Sequence, residues 1–473
     1  MGNGVTRPAT SFSTYDGSAR LGGALSNNWR LDGSFNGFVG RDIFTPGDVF
    51  DGENNQGSKD LERWTGDIRL SGQRGTHLLT ATAFVASDQQ HSSRVTSTNP
   101  ADIGFLPYLS YEREDFWRGL QVRDTWNWRS GNSVSVGADY EWVSDKSKSY
   151  LRTGDRRGPF SADNTRTTIG LYAENTVRLN DGATVVSLGA RLDHITTETF
   201  ATAFKTGFTP SAAGFTSFNP SVGFKQELTQ DVRLHATVGR AFVPPAAYQL
   251  TGFFEGFRGG QPHLTQGNPG LRPERSTGYD VGVEWFGRAG LLDVTYFQTH
   301  VADRVVGGVV ISNPGPPAPV VVSYVNSLGS RMYGMELDYS HSLSSHVTVF
   351  SNVTHYFSRR EELPNAGERN ILNVASNTVR VGVDLDFGGM SSRLSARYVE
   401  GRQDNDWNVA GIPIIDYPDF TVVDFTTRYQ VANAHALLLE VNNLLDEYYY
   451  EKKGFPLSGI AFALKYQLDF GQP

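Results

Sequence analysis

Short and long connections strictly take turns along this sequence, and that rhythm limits the fold more than any motif does. Short turns stand at Gly72–Gly75, Ser130–Asn132, Asn180–Gly182, Thr229–Asp231, Gly287–Gly290 and Ala432–Ala434. Long polar connections lie between them, at Gly40–Asp60, Ser87–Asp115, Ser144–Asn164, Thr197–Gly214, Pro244–Arg275, Ala302–Tyr324, Ser358–Asn373 and Glu400–Asp416. The segments they join alternate apolar and polar residues with period two, as in Val134–Trp142, Val186–Asp193, Tyr279–Trp285 and Ala461–Phe470. An up-and-down antiparallel array collects all the short turns at one rim and all the long loops at the other. Outer-membrane barrels have that asymmetry. A propeller gives no reason for it, and a sandwich of this length needs several domains joined by linkers.

Side chains of a strand point alternately to opposite faces, so each segment has one greasy and one wet face. In Ala461–Phe470 the residues Phe462, Leu464, Tyr466, Leu468 and Phe470 share one parity, and Lys465, Gln467 and Asp469 the other. A water-filled lumen accepts such charges at nearly every position, whereas a dry interior bears a heavy cost for each unpaired one. Trp126, Trp128, Tyr140, Trp142, Trp285, Tyr339, Phe387, Tyr429, Tyr466 and Phe470 lie near strand ends, where interfacial girdles form. The expected fold is all-β, a transmembrane antiparallel up-and-down barrel of about 20–22 strands, with short periplasmic turns and long extracellular loops. The strand count is expected to be even, with both termini on the short-turn side. Residues 1–473 are expected to form one barrel domain.

Composition excludes other classes. No stretch approaches the ~18 consecutive apolar residues of a spanning helix, and the mean hydropathy is −0.36. The 51 glycines and 12% aromatic content favour strands and turns. With no cysteine, disulfide frameworks and thiol chemistry are out. A net charge of −8 argues against nucleic acid as a partner. The ten histidines show no metal spacing, no phosphate loop or hydrolase elbow is present, and neither enzyme activity nor a cofactor is expected. The opening Met1–Thr6 has no charged-then-apolar leader, so an exported chain is expected here in mature or trimmed form.

Four motifs then occur in order. Val238-Gly-Arg-Ala-Phe-Val-Pro-Pro245 with Tyr248 is followed by Asn268-Pro-Gly-Leu-Arg-Pro-Glu274, by Tyr324-Val-Asn326 with Tyr333–Leu337, and by Val441–Tyr449 with Gly454-Phe-Pro456. Together they resemble the TonB-dependent outer-membrane receptor family, over nearly the whole chain and most strongly after Arg240. Asn268, Pro269, Leu271, Pro273 and Glu274, with Asn443, Leu444, Asp446 and Tyr449, read as residues that shape the barrel rim. Pro273 biases Arg272 toward extended geometry before the next strand. The family also carries an N-terminal plug and a TonB-binding box. Here strand one starts almost at once, as a pair at about Ala9–Tyr15 and Ser18–Ser26, so neither is expected in this chain. The last strand is entered by Ser458-Gly-Ile460, where the family has Pro-Gly-Arg.

The resemblance implies uptake of a scarce, bulky nutrient, of iron–siderophore or cobalamin type, across a Gram-negative outer membrane. Expected partners are outer-membrane lipid and lipopolysaccharide, a small-molecule ligand such as an iron chelate, and the TonB system if a plug is supplied. Two loop stretches carry suitable side chains. Tyr248, Phe253, Phe254, Phe257 and Arg258 offer aromatic faces and a cation to a catecholate or carboxylate chelate. Arg152, Arg156 and Arg157 form a second cationic cluster. A passive porin-like channel and a soluble β-rich binding protein are the alternatives.

Overall fold

The computed structural model describes residues 11–44, 47–49, 52–54, 57–94, 108–205, 209–258, 261–364, 367–406, 409, 412–453 and 455–469. Its main sheet holds 21 strands, of which Arg156–Arg157 and Gly367–Asn370 are short arms within loops, leaving nineteen long ones. They are β1 (Ser13–Ser26), β2 (Trp29–Phe44), β3 (Ser58–Arg74), β4 (His77–Arg94), β5 (Tyr108–Arg129), β6 (Asn132–Tyr150) and β7 (Asn164–Leu179). Next come β8 (Thr184–Thr199), β9 (Ala212–Glu227), β10 (Val232–Val243), β11 (Glu274–Gly287), β12 (Gly290–Ala302) and β13 (Gly329–Ser344). The last six are β14 (Val347–Leu363), β15 (Asn377–Asp386), β16 (Met390–Glu400), β17 (Phe420–Ala432), β18 (His435–Asn442) and β19 (Ala461–Leu468). Each pairs antiparallel with its sequence neighbour, and short and long connections alternate throughout. The turn Asn180-Asp181-Gly182 shows the local chemistry: all three have positive φ, which Asn, Asp and Gly tolerate.

Two expectations need correction. Where a pair of strands was expected at Ala9–Tyr15 and Ser18–Ser26, Ser13–Ser26 is a single strand, because Asp16-Gly17 does not turn, and 9–10 lie outside the described residues. Ser13 to Ala24 run in unbroken register with Arg41 to Arg30, Gly17 facing Gly37. An uninterrupted neighbour offers Gly17 a full ladder, which outweighs the turn preference of an Asp-Gly pair. Among the described residues the long strands therefore number nineteen, where an even count was expected. β1 starts at the long-loop rim, whereas β19 ends at the short-turn rim with Leu468 opposite His435. Within two of the long connections, Tyr108–Tyr111 belongs to β5 and Ala212–Phe218 to β9.

The apolar parity is on the outside of the sheet. Leu188 is 49% exposed, Val283 44%, Trp285 45% and Leu464 73%. The opposite parity is wet and charged, with Arg191 bonded to Asp139 at 2.6 Å and Asp193 at 2.8 Å, and Lys465 to Glu440 at 2.7 Å. A cavity of about 550 Å³ on that face touches Arg69, Gln121, Asp139, Tyr172, Arg191 and Asn219, which come from six different strands between β3 and β9. A flat sheet does not bring six strands to one cavity, so the sheet curls around its polar face. Dry clusters among the described residues are small and lie toward the long loops: Val320, Val322 and Ile412 form one, and Val399, Phe420 and Val422 another.

The long loops carry their own structure. The strands Phe253–Arg258, Gln261–Gln266, Val305–Ser312 and Val320–Asn326 make a four-stranded sheet from two different loops. Asn326 locks them to the barrel: its Oδ1 accepts from Arg272 N at 2.8 Å, and its Nδ2 donates to Arg272 O at 2.9 Å and Asp303 O at 2.7 Å. Asn268 Nδ2 donates to Tyr324 O at 3.0 Å and Glu274 Oε1 accepts from Val305 N at 2.8 Å. Leu271 is buried beneath them, and Pro269 and Pro273 stiffen the same descent. In the last loop Asn443 Nδ2 donates to Glu447 O (2.8 Å) and Ser458 O (3.1 Å), and Asp446 Oδ1 accepts from Ile460 N (3.0 Å). Tyr449 packs against Phe420 with ring centroids 4.7 Å apart and planes tilted by 40°, while Leu444 is exposed.

Leu188→Arg places charge on the apolar face of a central strand, at a cost of about 2–4 kcal/mol near a bilayer midplane. It should abolish heat-modifiable gel mobility in outer-membrane fractions, whereas Ser187→Arg, on the wet face, should leave it intact. Asn326→Ala removes three hydrogen bonds from a half-buried clasp, worth about 1 kcal/mol each at most. Limited proteolysis should then cut within 253–326 while the barrel band persists; unchanged cleavage would contradict the clasp.

Candidate functional site

At the long-loop rim, rings and cations far apart in the chain come together. After β6 the chain makes a tight turn, with Leu151 N donating to Asp155 O at 2.8 Å and Gly154 N to Leu151 O at 3.0 Å. It doubles back so that Arg156 and Arg157 pair with Tyr150 and Ser149. Arg156 Cζ consequently lies 5.5 Å from the Tyr150 ring centroid and 5.2 Å from that of Phe204, which arrives from the next long loop. Both distances are within reach of a cation–π attraction.

That second loop is fastened to the first through Lys205. Its Nζ donates to Phe160 O at 2.9 Å and to Pro159 O at 3.3 Å. Burial lowers the pKa of this ammonium from the ordinary lysine value, since a desolvated charge is disfavoured. Asp163 closes the same corner: its backbone N donates to Thr202 Oγ1 at 2.8 Å and its Oδ1 accepts from Ser147 N at 3.3 Å. Its carboxyl pKa is raised, chiefly by burial.

A third loop brings the aromatic stretch. Pro244 and Pro245 lead into a short helix, Ala247–Thr251, whose start is tied by Ala246 N donating to Gln249 Oε1 at 2.8 Å. The helix holds the Tyr248 ring 6.3 Å from Phe160 and 5.9 Å from Tyr324. Phe253 N donates to Phe160 O at 3.0 Å. Gly267 passes so close to the helix end that a Cβ there would meet the nitrogens of Gly252 and Thr251 at 2.6 Å, so only glycine fits. One strand position further, the Phe254 ring lies 5.9 Å from Arg157 Cζ.

Phe160 is therefore the hub: its carbonyl accepts from Lys205 of one loop and Phe253 of another, and its ring meets Tyr248 of that same second loop. Of the residues expected from the sequence, Arg156, Arg157, Tyr248, Phe253 and Phe254 converge here. Arg152 lies exposed in the tight turn. Phe257 and Arg258 continue the strand of Phe254, with side chains outside the described residues. Sequence reasoning missed Phe160, Phe204 and Lys205, and it treated the arginine and aromatic stretches as separate. No local signal marks these three residues, because their significance comes from loops about 45 to 90 residues apart, a separation that no periodicity reports.

The arrangement presents guanidinium groups already stacked on rings, above a curled sheet with a polar inner face. It suits an anionic, aromatic or carboxylate-bearing solute, which stacks on the rings and accepts charge-assisted hydrogen bonds. Among the described residues, nothing here places a nucleophile beside a base.

The family model for TonB dependent receptor-like, beta-barrel matches residues 3–444. The metal-pseudopaline receptor CntO of Pseudomonas aeruginosa is 25% identical over 276 residues, covering 56% of this chain and 35% of that protein. The ferrienterobactin receptor of Escherichia coli K12 is 22% identical over 290 residues, covering 59% of this chain and 36% of that protein. The matches thus span about a third of the length of these relatives. Among solved structures, the copper transporter OprC superposes with a TM-score of 0.78 at 17% identity, over 97% of this chain and 72% of that one. Its fold is the antiparallel up-and-down barrel expected from the alternating turns and loops. This chain belongs to the TonB-dependent receptor β-barrel family, a family of outer-membrane transport receptors.

Proposed function

We propose that this chain is the barrel of a Gram-negative outer-membrane receptor that takes up a metal chelate, of ferric-siderophore type. The observation that carries the reading is the convergence of Arg156 and Arg157 with Phe160, Phe254, Tyr248 and Tyr324 at the long-loop rim. Rings and guanidinium groups in that proportion favour a catecholate chelate over cobalamin, whose corrin periphery offers amides in place of a dense negative charge. The names of the relatives, a metal-pseudopaline receptor and a ferrienterobactin receptor, support the same chemical class. The apolar parity is taken to face lipid and the outer rim lipopolysaccharide. Energy is taken to come from the TonB system through a plug. Within 1–473 we read one barrel domain.

Ferric catecholate quenching of intrinsic fluorescence, measured on detergent-purified protein, tests the site. Loss of one charge-assisted contact is worth about 1.5–3 kcal/mol, so Arg157→Ala should weaken binding at least about tenfold. Tyr248→Ala should weaken it in the same sense, and Arg152→Ala should change little. Equal affinity for wild type, Arg157→Ala and Tyr248→Ala would refute the assignment. Tighter binding of cobalamin than of the ferric catecholate would replace the ligand class.

A further inference from the structure

Far from that rim, on the wet face close to the short turns, β10, β11 and β12 bring His235, Glu284 and Asp293 together. One ligand atom from each lies within 4.8 Å of the other two. Their positions follow from register. Arg233, Glu284, Asp293 and Asp338 are successive cross-strand partners in one row, and His235, Gly282 and Thr295 are partners in the next. Gly282 matters because a Cβ there would overlap the His235 ring and the Thr295 hydroxyl. Its absence lets the imidazole lie across β11, so that Nε2 reaches Asp293 Oδ2 at 3.0 Å, two strands away.

The surrounding bonds orient each group. Thr295 Oγ1 donates to Asp293 Oδ1 at 2.7 Å, leaving Oδ2 turned toward the imidazole. Arg233 holds Glu284 Oε2 at 2.7 Å. Asp280 Oδ1 stands 4.0 Å from His235 Nδ1, on the side of the ring opposite Asp293, and Thr237 donates to its other oxygen. With Asp293 as co-ligand on the Nε2 side, Asp280 stands on the Nδ1 side, where the orienting carboxylate of a metal-bound histidine lies.

A second observation points to a cation. Glu284, Asp293 and Asp338 are carboxylates directly opposite one another on adjacent strands, and like charges so placed repel. Asp338 is relieved by Asn352, which donates to it. For the rest, the carboxylates of Glu227, Asp280, Glu284 and Asp293 are met among the described residues by Arg233 and by Lys225, the cross-strand partner of His235, which leaves two negative charges beside a histidine.

We infer that His235, Asp293 and Glu284 bind a bare divalent transition cation of zinc or manganese type on the inner wall near the short-turn rim. One imidazole with carboxylates suits such ions, and the absence of sulfur ligands argues against soft cuprous copper. The inference does not rest on the chelate site, which lies at the opposite rim and uses other residues.

The test is calorimetric titration of Zn²⁺ into the protein purified from outer membranes in detergent and stripped with EDTA. One saturable site is expected. His235→Gln and Asp293→Asn should each weaken it about tenfold or more, the scale of ligand and supporting-shell losses. His194→Gln, a histidine of β8 bonded to Thr216, should leave it unchanged. Heat-modifiable mobility verifies folding. Should a variant fail to fold, the anomalous difference map of Zn²⁺-soaked wild-type crystals decides, with a peak expected between His235 Nε2 and Asp293. Absence of saturable binding, affinity indifferent to both substitutions, or a peak elsewhere would overturn the inference.

Discussion

Everything in this molecule depends on where its backbone amides find partners. Hydrocarbon offers no hydrogen bonds, so a chain that crosses it must satisfy every N–H and C=O internally. The nineteen long strands among the described residues do most of this by pairing with their sequence neighbours over runs of seven to eighteen residues, β1 and β19 being paired on one side only. Once the ladder is satisfied, side chains need only agree on which face is greasy. Period-two alternation supplies that agreement and nothing more is required for folding, which is why the dry clusters are so few. The inner face is then free to carry charge, and it does so in rows of arginine and carboxylate.

The loops obey a different economy. Too long to be turns, they fold into small sheets of their own and tie one connection to the next. Fully buried Glu361 accepts from Arg304 and from Arg369, joining two loops through a single carboxylate. Asp404 takes Lys452 Nζ at 2.5 Å and Asp406 takes Lys453 Nζ at 2.5 Å, fastening the loop after β16 to the loop after β18. Such buried pairs add little net stability, because desolvation offsets most of the attraction. Their contribution is geometric: they hold loops in one mutual arrangement, and the ring-and-arginine site needs that arrangement to exist.

The alternation of turns and loops, and the facing of each strand, were legible because both are local and repetitive. Asn180-Asp181-Gly182 declared itself a turn, and Val186–Asp193 declared its faces. Asp16-Gly17 misled, since the same dipeptide fits a straight ladder when an unbroken partner lies beside it, and the strands among the described residues number one fewer for it. The candidate site was half legible. Arg156, Arg157, Tyr248 and Phe254 stood out by type, but nothing near Phe160 or Lys205 announces a hub. His235 was likewise invisible as a metal ligand, because Glu284 and Asp293 come from other strands and only register aligns them.

The central claim is that hydrocarbon touches one parity of these strands while water touches the other. The protein has no cysteine, so single substitutions give unique labelling sites. Nitroxide spin labels placed one at a time through β7, at Ile169→Cys, Gly170→Cys, Leu171→Cys and Tyr172→Cys, can be probed in bilayers with oxygen and with a water-soluble nickel chelate. Oxygen should dominate collisions at 169 and 171 and the nickel chelate at 170 and 172, repeating every second residue. A profile without that two-residue alternation, or with its phases exchanged, would contradict the whole account.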